Sequence, residues 1–258
     1  MLSSEISIVD QLGQEIRLSQ PAQRIVSLVP SQTELLFHLQ MEDKVVGITK
    51  FCIHPSEWFH SKNRVGGTKN VDIQKVKDLR PDLIIANKEE NTKEDIESLS
   101  KVAPVYVSDV ISINDALEMI QHLSVLCGKE QIGVDLIDDI SEDFSSFPKY
   151  QGKVIYFIWN DPYMVCGSTN FINSIIEKLG FENLIKSERY INISLNEIKA
   201  LHPDYIFLST EPFPFKEEHA SILAKETGAE VTIVDGEMFS WYGSRMLKMK
   251  SYFKQLLA

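Results

Sequence analysis

Asn70-Val71-Asp72-Ile73-Gln74-Lys75-Val76-Lys77-Asp78-Leu79-Arg80-Pro81-Asp82-Leu83-Ile84-Ile85 aligns without a gap on Asn192-Ile193-Ser194-Leu195-Asn196-Glu197-Ile198-Lys199-Ala200-Leu201-His202-Pro203-Asp204-Tyr205-Ile206-Phe207. Asn, Lys, Leu, Pro, Asp and Ile recur at matching places, and most other pairs keep their polar or apolar character. Asp72 and Ser194 are helix-cap residue types, each placed before an amphipathic stretch. Leu-x-Pro-Asp then leads into a short apolar run of strand type. A repeat with so long a period is a domain duplication and not a solenoid. It implies two similar lobes with a cleft between them, where a ligand binds.

The repeat extends outward. Arg24-Ile25-Val26-Ser27-Leu28-Val29 and Lys153-Val154-Ile155-Tyr156-Phe157-Ile158 read as buried strands after a basic residue. Ser31-Gln32-Thr33 is placed to cap the helix that follows the first, and Ser168-Thr169-Asn170 the helix that follows the second. Val105-Tyr106-Val107 and Val231-Thr232-Ile233-Val234 supply the closing strands. Each lobe therefore reads strand, helix, helix, strand, helix, strand, an alternation that favours parallel sheets flanked by helices. The expected fold is α/β with two lobes, residues 1–128 and 148–258. Residues 129–147 form the link: apolar positions 132, 136, 137, 140 and 144 follow helical spacing, so one rigid helix joins the lobes and limits closure.

Bulk properties exclude several classes. The net charge of -11 in 258 residues argues against nucleic-acid binding, which needs clustered Lys and Arg. No stretch approaches the roughly 20 apolar residues of a membrane span. Met1-Leu2-Ser3-Ser4-Glu5 has neither a basic start nor an apolar stretch, so no signal peptide is legible there. Cys52, Cys127 and Cys166 have no metal-like spacing and read as small buried residues. Phosphate loops, dinucleotide fingerprints, His-Glu-x-x-His and nucleophile elbows are all missing, which points away from an enzyme. His54 is the histidine best placed in a loop for acid–base work, should catalysis exist.

In open α/β sheets ligands meet the loops at the carboxyl ends of strands. Five stretches qualify: Pro30–Glu34, Phe51–Pro55, Gly66–Asn70, Trp159–Met164 and Gly236–Arg245. Trp159, Tyr163, Phe239, Trp241 and Tyr242 concentrate aromatics in the last two, either lining an apolar cleft or filling the interface under the linking helix. Arg245 either presents an oriented donor to a ligand or caps a helix through a carboxylate. Glu89 and Glu90 follow the first Pro-Asp strand, and Glu211 follows the second in register with Glu89. They are either partner-docking acids on two loop tips or solvated loop charge. Glu94, Glu217 and Glu218 compete for the docking role.

Together these features resemble the substrate-binding proteins of ABC importers for vitamin B12 and iron-siderophores, the helical-backbone class. The residues that carry the resemblance are Arg24-Ile25-Val26-Ser27-Leu28-Val29-Pro30-Ser31-Gln32-Thr33-Glu34, Val45-Val46-Gly47-Ile48-Thr49 and Leu79-Arg80-Pro81-Asp82-Leu83-Ile84. The nearest branch is the cobalamin-binding (BtuF-like) one. The resemblance implies a monomeric, non-enzymatic protein with no cofactor of its own. Such a protein binds a metal chelate and delivers it to an ABC permease dimer, which it meets through glutamates on each lobe. It implies ligand contacts from Phe51, Thr68, Lys69, Trp159, Tyr163, Phe239, Trp241, Tyr242 and Arg245. Only Lys69 and Arg245 are prominent cations in these loops, which favours cobalamin over an anionic ferric siderophore; haem is a further alternative. A periplasmic or extracytoplasmic location follows from the resemblance, with a cytoplasmic corrinoid-binding relative as the other reading.

Overall fold

The computed structural model describes residues 5–256. Contacts divide the chain into two compact units. Unit 1 takes the chain up to Val110 with Asn114–Ser141 and Tyr242–Arg245; unit 2 takes Ile111–Ile113, Glu142–Trp241 and the chain from Met246 onward.

Unit 1 begins with the antiparallel hairpin β1 (Ile6–Val9) and β2 (Glu15–Leu18). There follow β3 (Ile25–Ser27), α1 (Pro30–His38), β4 (Val45–Ile48), α2 (Ser56–Ser61), β5 (Asn63–Arg64), β6 (Gly66–Gly67) and β7 (Asn70–Val71). Next come α3 (Ile73–Asp78), β8 (Leu83–Asn87), α4 (Lys93–Leu99), β9 (Val105–Ser108), α5 (Ile113–Leu126) and α6 (Glu130–Ser145). Its main sheet is parallel throughout, in the order β5-β4-β3-β8-β9. Val26, Leu28, Ile84, Val105, Val76 and Leu99 are buried together on one face. Each such side chain contributes about 1.5–3 kcal/mol on burial.

Unit 2 contains β10 (Lys153–Asn160), β11 (Tyr163–Cys166), α7 (Phe171–Lys178), β12 (Glu182–Asn183), β13 (Tyr190–Asn192) and α8 (Leu195–Leu201). It ends with β14 (Tyr205–Ser209), α9 (Glu217–Thr227), β15 (Glu230–Val234), α10 (Glu237–Ser240) and α11 (Met246–Phe253). The sheet order is β13-β11-β10-β14-β15, with β12 pairing on β10. β10, β14 and β15 are parallel; β11 runs antiparallel to both β10 and β13. Among the described residues no helix is long and apolar enough to cross a membrane.

The duplication is visible in the register. β8 pairs with β3 through Ile25↔Leu83 and Val26↔Ile84, and β14 pairs with β10 through Val154↔Tyr205 and Ile155↔Ile206. The repeated caps work as expected: Asp72 accepts from the Lys75 backbone N–H at 3.1 Å, and Ser194 forms a capping box with Glu197. Arg80 and His202, the residues before the two prolines, both close their helices in the left-handed region, at φ 48°. The repeated aspartate then starts each first strand. Asp82 accepts from the backbone N–H groups of Gln23 and Arg24, and Asp204 accepts from that of Lys153 at 2.7 Å. Pro-Asp recurs because the same two strands must be tied at the same end.

Two expectations need correcting. Ser31, Gln32 and Thr33 are not caps. Pro30 occupies the first turn behind Val29, no side chain caps that end, and the three polar residues lie buried inside α1. Trp159–Met164 is not a loop, because β10 continues to Asn160 and turns through Asp161-Pro162 into β11. The expected link is occupied by the helix α6, and the division between the units falls inside it, between Ser141 and Glu142; Tyr242–Arg245 groups with unit 1 although its flanks belong to unit 2.

Replacing Asp82 by Ala is expected to lower the unfolding free energy by about 1 kcal/mol, since the half-buried Gln23 N–H and the Arg24 N–H lose their acceptor. Asp204→Ala costs less, because that carboxylate is exposed. Urea unfolding of the two variants measures both.

Candidate functional site

The carboxyl ends of the unit 1 strands converge on a buried polar floor built around Asn87, the last residue of β8. Its amide donates to the Ser108 carbonyl at 3.1 Å and to Ser108 Oγ at 3.0 Å. Its Oδ1 accepts from the backbone N–H of Glu89 at 2.8 Å and of Glu90 at 3.1 Å, which folds the following turn. Its own N–H donates to Asn91 Oδ1, and Asn91 Nδ2 donates to the Thr68 carbonyl at 2.9 Å. The Lys69 ammonium binds the Glu89 carbonyl. Gln32 Nε2 donates to Ser108 Oγ, and the Tyr242 hydroxyl meets the side chains of Ser108, Gln32 and Ser31. Burial, the leading cause, raises the Tyr242 pKa, so this phenol stays protonated.

Arg245 belongs to the same unit. Its Nε donates to Glu34 Oε2 at 2.8 Å and its Nη2 to Glu34 Oε1 at 3.0 Å, with 5% and 13% of the two side chains exposed. This fork is the strong geometry for a guanidinium and a carboxylate. Gly243 beside α1 is required by its backbone, which sits at φ +91°, a conformation that L side chains rarely adopt.

In unit 2 the β10–β11 hairpin carries Trp159, which is 41% exposed. Its indole packs edge-on to Phe213 at 5.5 Å between ring centres, and Phe213 meets Phe215 at 4.8 Å and His219 at 5.4 Å. Tyr163 rests against Phe157. The His219 Nδ1 accepts from the Lys216 N–H at 3.0 Å, so in the neutral ring the proton sits on Nε2 and neither nitrogen is a ready metal ligand. Glu211 Oε1 accepts from Trp241 Nε1 and from Ser240 Oγ, both at 3.0 Å. Burial raises the Glu211 carboxyl pKa; Ser240 and Trp241 partly offset this, while Glu237 and Asp235 add to it.

The structure thus sorts the predicted ligand residues. Phe51 is 50% exposed, and Lys69 and Trp159 are exposed as well. Tyr163 is half-buried. Thr68, Trp241 and Tyr242 show little surface. Phe239 is a correction: it lies on α10, wholly buried against Tyr156, Phe207 and Phe253, because α10 turns its apolar side into the core of unit 2. Arg245 is a second correction, since its charge is spent on Glu34. Glu211 is a third, since its carboxylate serves Trp241 and Ser240 and is not an exposed docking tip. Phe213 and Phe215 were missed; the run Glu211-Pro212-Phe213-Pro214-Phe215 was their only sequence signal. Among the described residues no group of three His, Cys, Asp or Glu is placed to hold a metal ion.

Glu34→Gln is expected to cost about 3–5 kcal/mol, because it strands a buried guanidinium. Glu34→Leu combined with Arg245→Met recovers much of that loss in the same urea experiment. A different signature is expected from Glu211. Its folded pKa is raised above 4.5, so its stabilising contribution is complete below 4.5 and is lost as pH rises through the folded value. The stability of the wild type should therefore fall relative to Glu211→Gln across that window, as unfolding at a series of pH values would show.

The family model described as periplasmic binding protein matches residues 25–230. The vitamin B12-binding protein of Vibrio vulnificus (strain CMCP6) is 25% identical over 197 residues, which cover 73% of this chain and 72% of the relative. An uncharacterized ABC transporter substrate-binding lipoprotein of Bacillus subtilis (strain 168) is 26% identical over 216 residues, 78% of this chain and 68% of that one. The periplasmic catecholate-siderophore binding protein VctP of Vibrio cholerae superposes with a TM-score of 0.79 at 15% identity, covering 98% of this chain and 100% of that chain. The last likeness speaks for the fold alone. With its duplicated α/β architecture and this match over most of its length, the chain belongs to the periplasmic binding protein family.

Proposed function

We propose that this protein binds a corrinoid, cobalamin in the first instance, and delivers it to an ABC-type importer on the extracytoplasmic side of a membrane. One observation carries the choice of ligand. The strand ends present large aromatic faces to solvent: Phe51 in unit 1, and Trp159 backed by Phe213 in unit 2. A corrin macrocycle is broad and apolar on its faces, and it is fringed with amides. Rigid aromatic walls with a few polar tips suit such a ligand. An anionic ferric catecholate calls for several free cations, and Arg245 is no longer among the candidates. The vitamin B12-binding relative supports the same choice.

The chemistry asked of the protein is capture and release. Burying apolar ligand surface on aromatic rings provides most of the affinity, and side-chain donors and acceptors set orientation. Tyr242 and Trp241 act one layer back: Trp241 holds Glu211 at the start of the loop that carries Phe213, and Tyr242 joins the floor of Ser31, Gln32 and Ser108.

Calorimetric titration with cyanocobalamin is expected to give one-to-one binding at or below micromolar, with the corrinoid recovered unchanged. Trp159→Ala and Phe51→Ala should each weaken it by about tenfold or more. Absence of saturable binding to the folded protein would remove the corrinoid assignment, and an altered ligand would remove the binding-only role.

A further inference from the structure

Lys50 and Phe51 stand side by side on the turn after β4, and both side chains reach solvent. The Lys50 ammonium lies over the Phe51 ring, 5.0 Å from the ring centre. The two side chains share one bed, the backbone of the buried Gly67 in β6. Lys50 Cε and Phe51 Cε2 each lie 3.3 Å from the place that a Cβ on Gly67 would take, so a side chain there would press on both. Bed and turn are joined. The Lys50 N–H donates to the Gly66 carbonyl at 2.9 Å, and Asn91 Nδ2 ties Thr68 to the buried floor. The turn also closes on itself: the Cys52 N–H donates to the Thr49 carbonyl at 3.2 Å, and the Ile53 N–H to the Phe51 carbonyl at 2.9 Å. Ring and ammonium are therefore presented together, beyond the carboxyl end of a parallel strand, where ligands meet such sheets.

Neighbouring lysines are engaged differently. Lys88, which follows β8, is paired with Asp109, and Lys69 donates to the Glu89 carbonyl. Among the described residues the Lys50 ammonium has neither an ion-pair partner nor a hydrogen-bond acceptor. The Phe51 ring attracts its charge through the ring face but does not take up its three N–H donors as an anion would.

We infer that Lys50 and Phe51 form one subsite, which takes an apolar macrocycle face on the ring and a single anionic group at its edge on the ammonium. The inference rests on the corrinoid reading above and deepens it: in cobalamin that group is the phosphodiester of the nucleotide loop. Lys50 thereby separates a complete corrinoid from one that lacks the loop. An ammonium is a compact point charge with donors free to turn, which suits a phosphodiester oxygen. A ligand seated on the Phe51 ring keeps water from the same ammonium, so the pair acts at a lower effective dielectric than two charges in open solvent. One ammonium matches one anionic charge and leaves the multiple charge of a ferric tris-catecholate uncompensated.

The test is a cycle of calorimetric titrations on the full chain at low salt. Wild type, Lys50→Gln and Lys50→Arg each meet cyanocobalamin and dicyanocobinamide, which keeps the corrin ring but lacks both the phosphodiester and the base. Because the base is missing too, the change from wild type to variant reports on the phosphodiester, and the difference between ligands alone does not. Lys50→Gln should weaken cyanocobalamin about fivefold to tenfold and leave dicyanocobinamide unchanged. Lys50→Arg should keep the wild-type preference. High salt should weaken cyanocobalamin on wild type and do little on Lys50→Gln. Equal loss for both ligands in Lys50→Gln would mean that the lysine only steadies the ring, and no loss for either would mean that it plays no part. Each of those results overturns the inference and leaves the corrinoid function standing. A wild type that binds neither corrinoid overturns both.

Discussion

The pairing of Arg245 with Glu34 is the constraint on which much else depends. It joins residues 211 positions apart and fixes the segment Tyr242–Arg245 in unit 1, while the chain on either side belongs to unit 2. A buried ion pair is costly to desolvate, by several kcal/mol per charge, and the fork geometry must repay that cost. Its value therefore lies in placement more than in net stability. With Arg245 fixed, Gly243 lies against α1 and the Tyr242 hydroxyl enters the floor formed by Ser31, Gln32 and Ser108. Trp241, one residue earlier, is held by Glu211 within unit 2. Two carboxylates on separate units thus position consecutive aromatic residues.

The duplication explains why such placement is possible. Each unit solves the same local problem in the same way: a capped helix ends in a left-handed residue, proline prevents its continuation, and aspartate ties the neighbouring strand. Those devices fix the strand ends, and strand ends carry the loops. The symmetry breaks beyond the first strand. Unit 1 continues with the parallel β4, whereas unit 2 turns back at once through Asp161-Pro162 into the antiparallel β11. That change sets Trp159 on a hairpin tip, while unit 1 places Phe51 on a connection after β4. The two exposed aromatics are not products of the repeat, although the frames that carry them are.

This division also explains what the sequence made legible. Helix caps, the Pro-Asp signal and the apolar strand runs are local, and local physics repeats itself, so the paired frames could be read directly. Side-chain direction at loop residues is not local. Phe239 and Trp159 look alike as aromatics in polar surroundings, yet one turns into the core and the other meets solvent. The partner of Arg245 lies on α1, far away in the chain, and no spacing rule links them. Ser31-Gln32-Thr33 misled for a related reason: polar types near a helix start suggest caps, but Pro30 had already taken the first turn and the three residues serve a buried network.

Family membership and ligand identity therefore rest on different residues. The architecture persists at 15% identity, as the superposition on the catecholate-siderophore binding protein shows. Ligand choice depends on side chains that the caps and strand ties do not fix. In this chain Phe51 and Trp159 are exposed beside exposed lysines such as Lys69, while the buried Arg245 guanidinium is committed to Glu34. A guanidinium committed in this way is lost to ligand recognition, because withdrawing it from Glu34 would leave a buried carboxylate without its ion-pair partner.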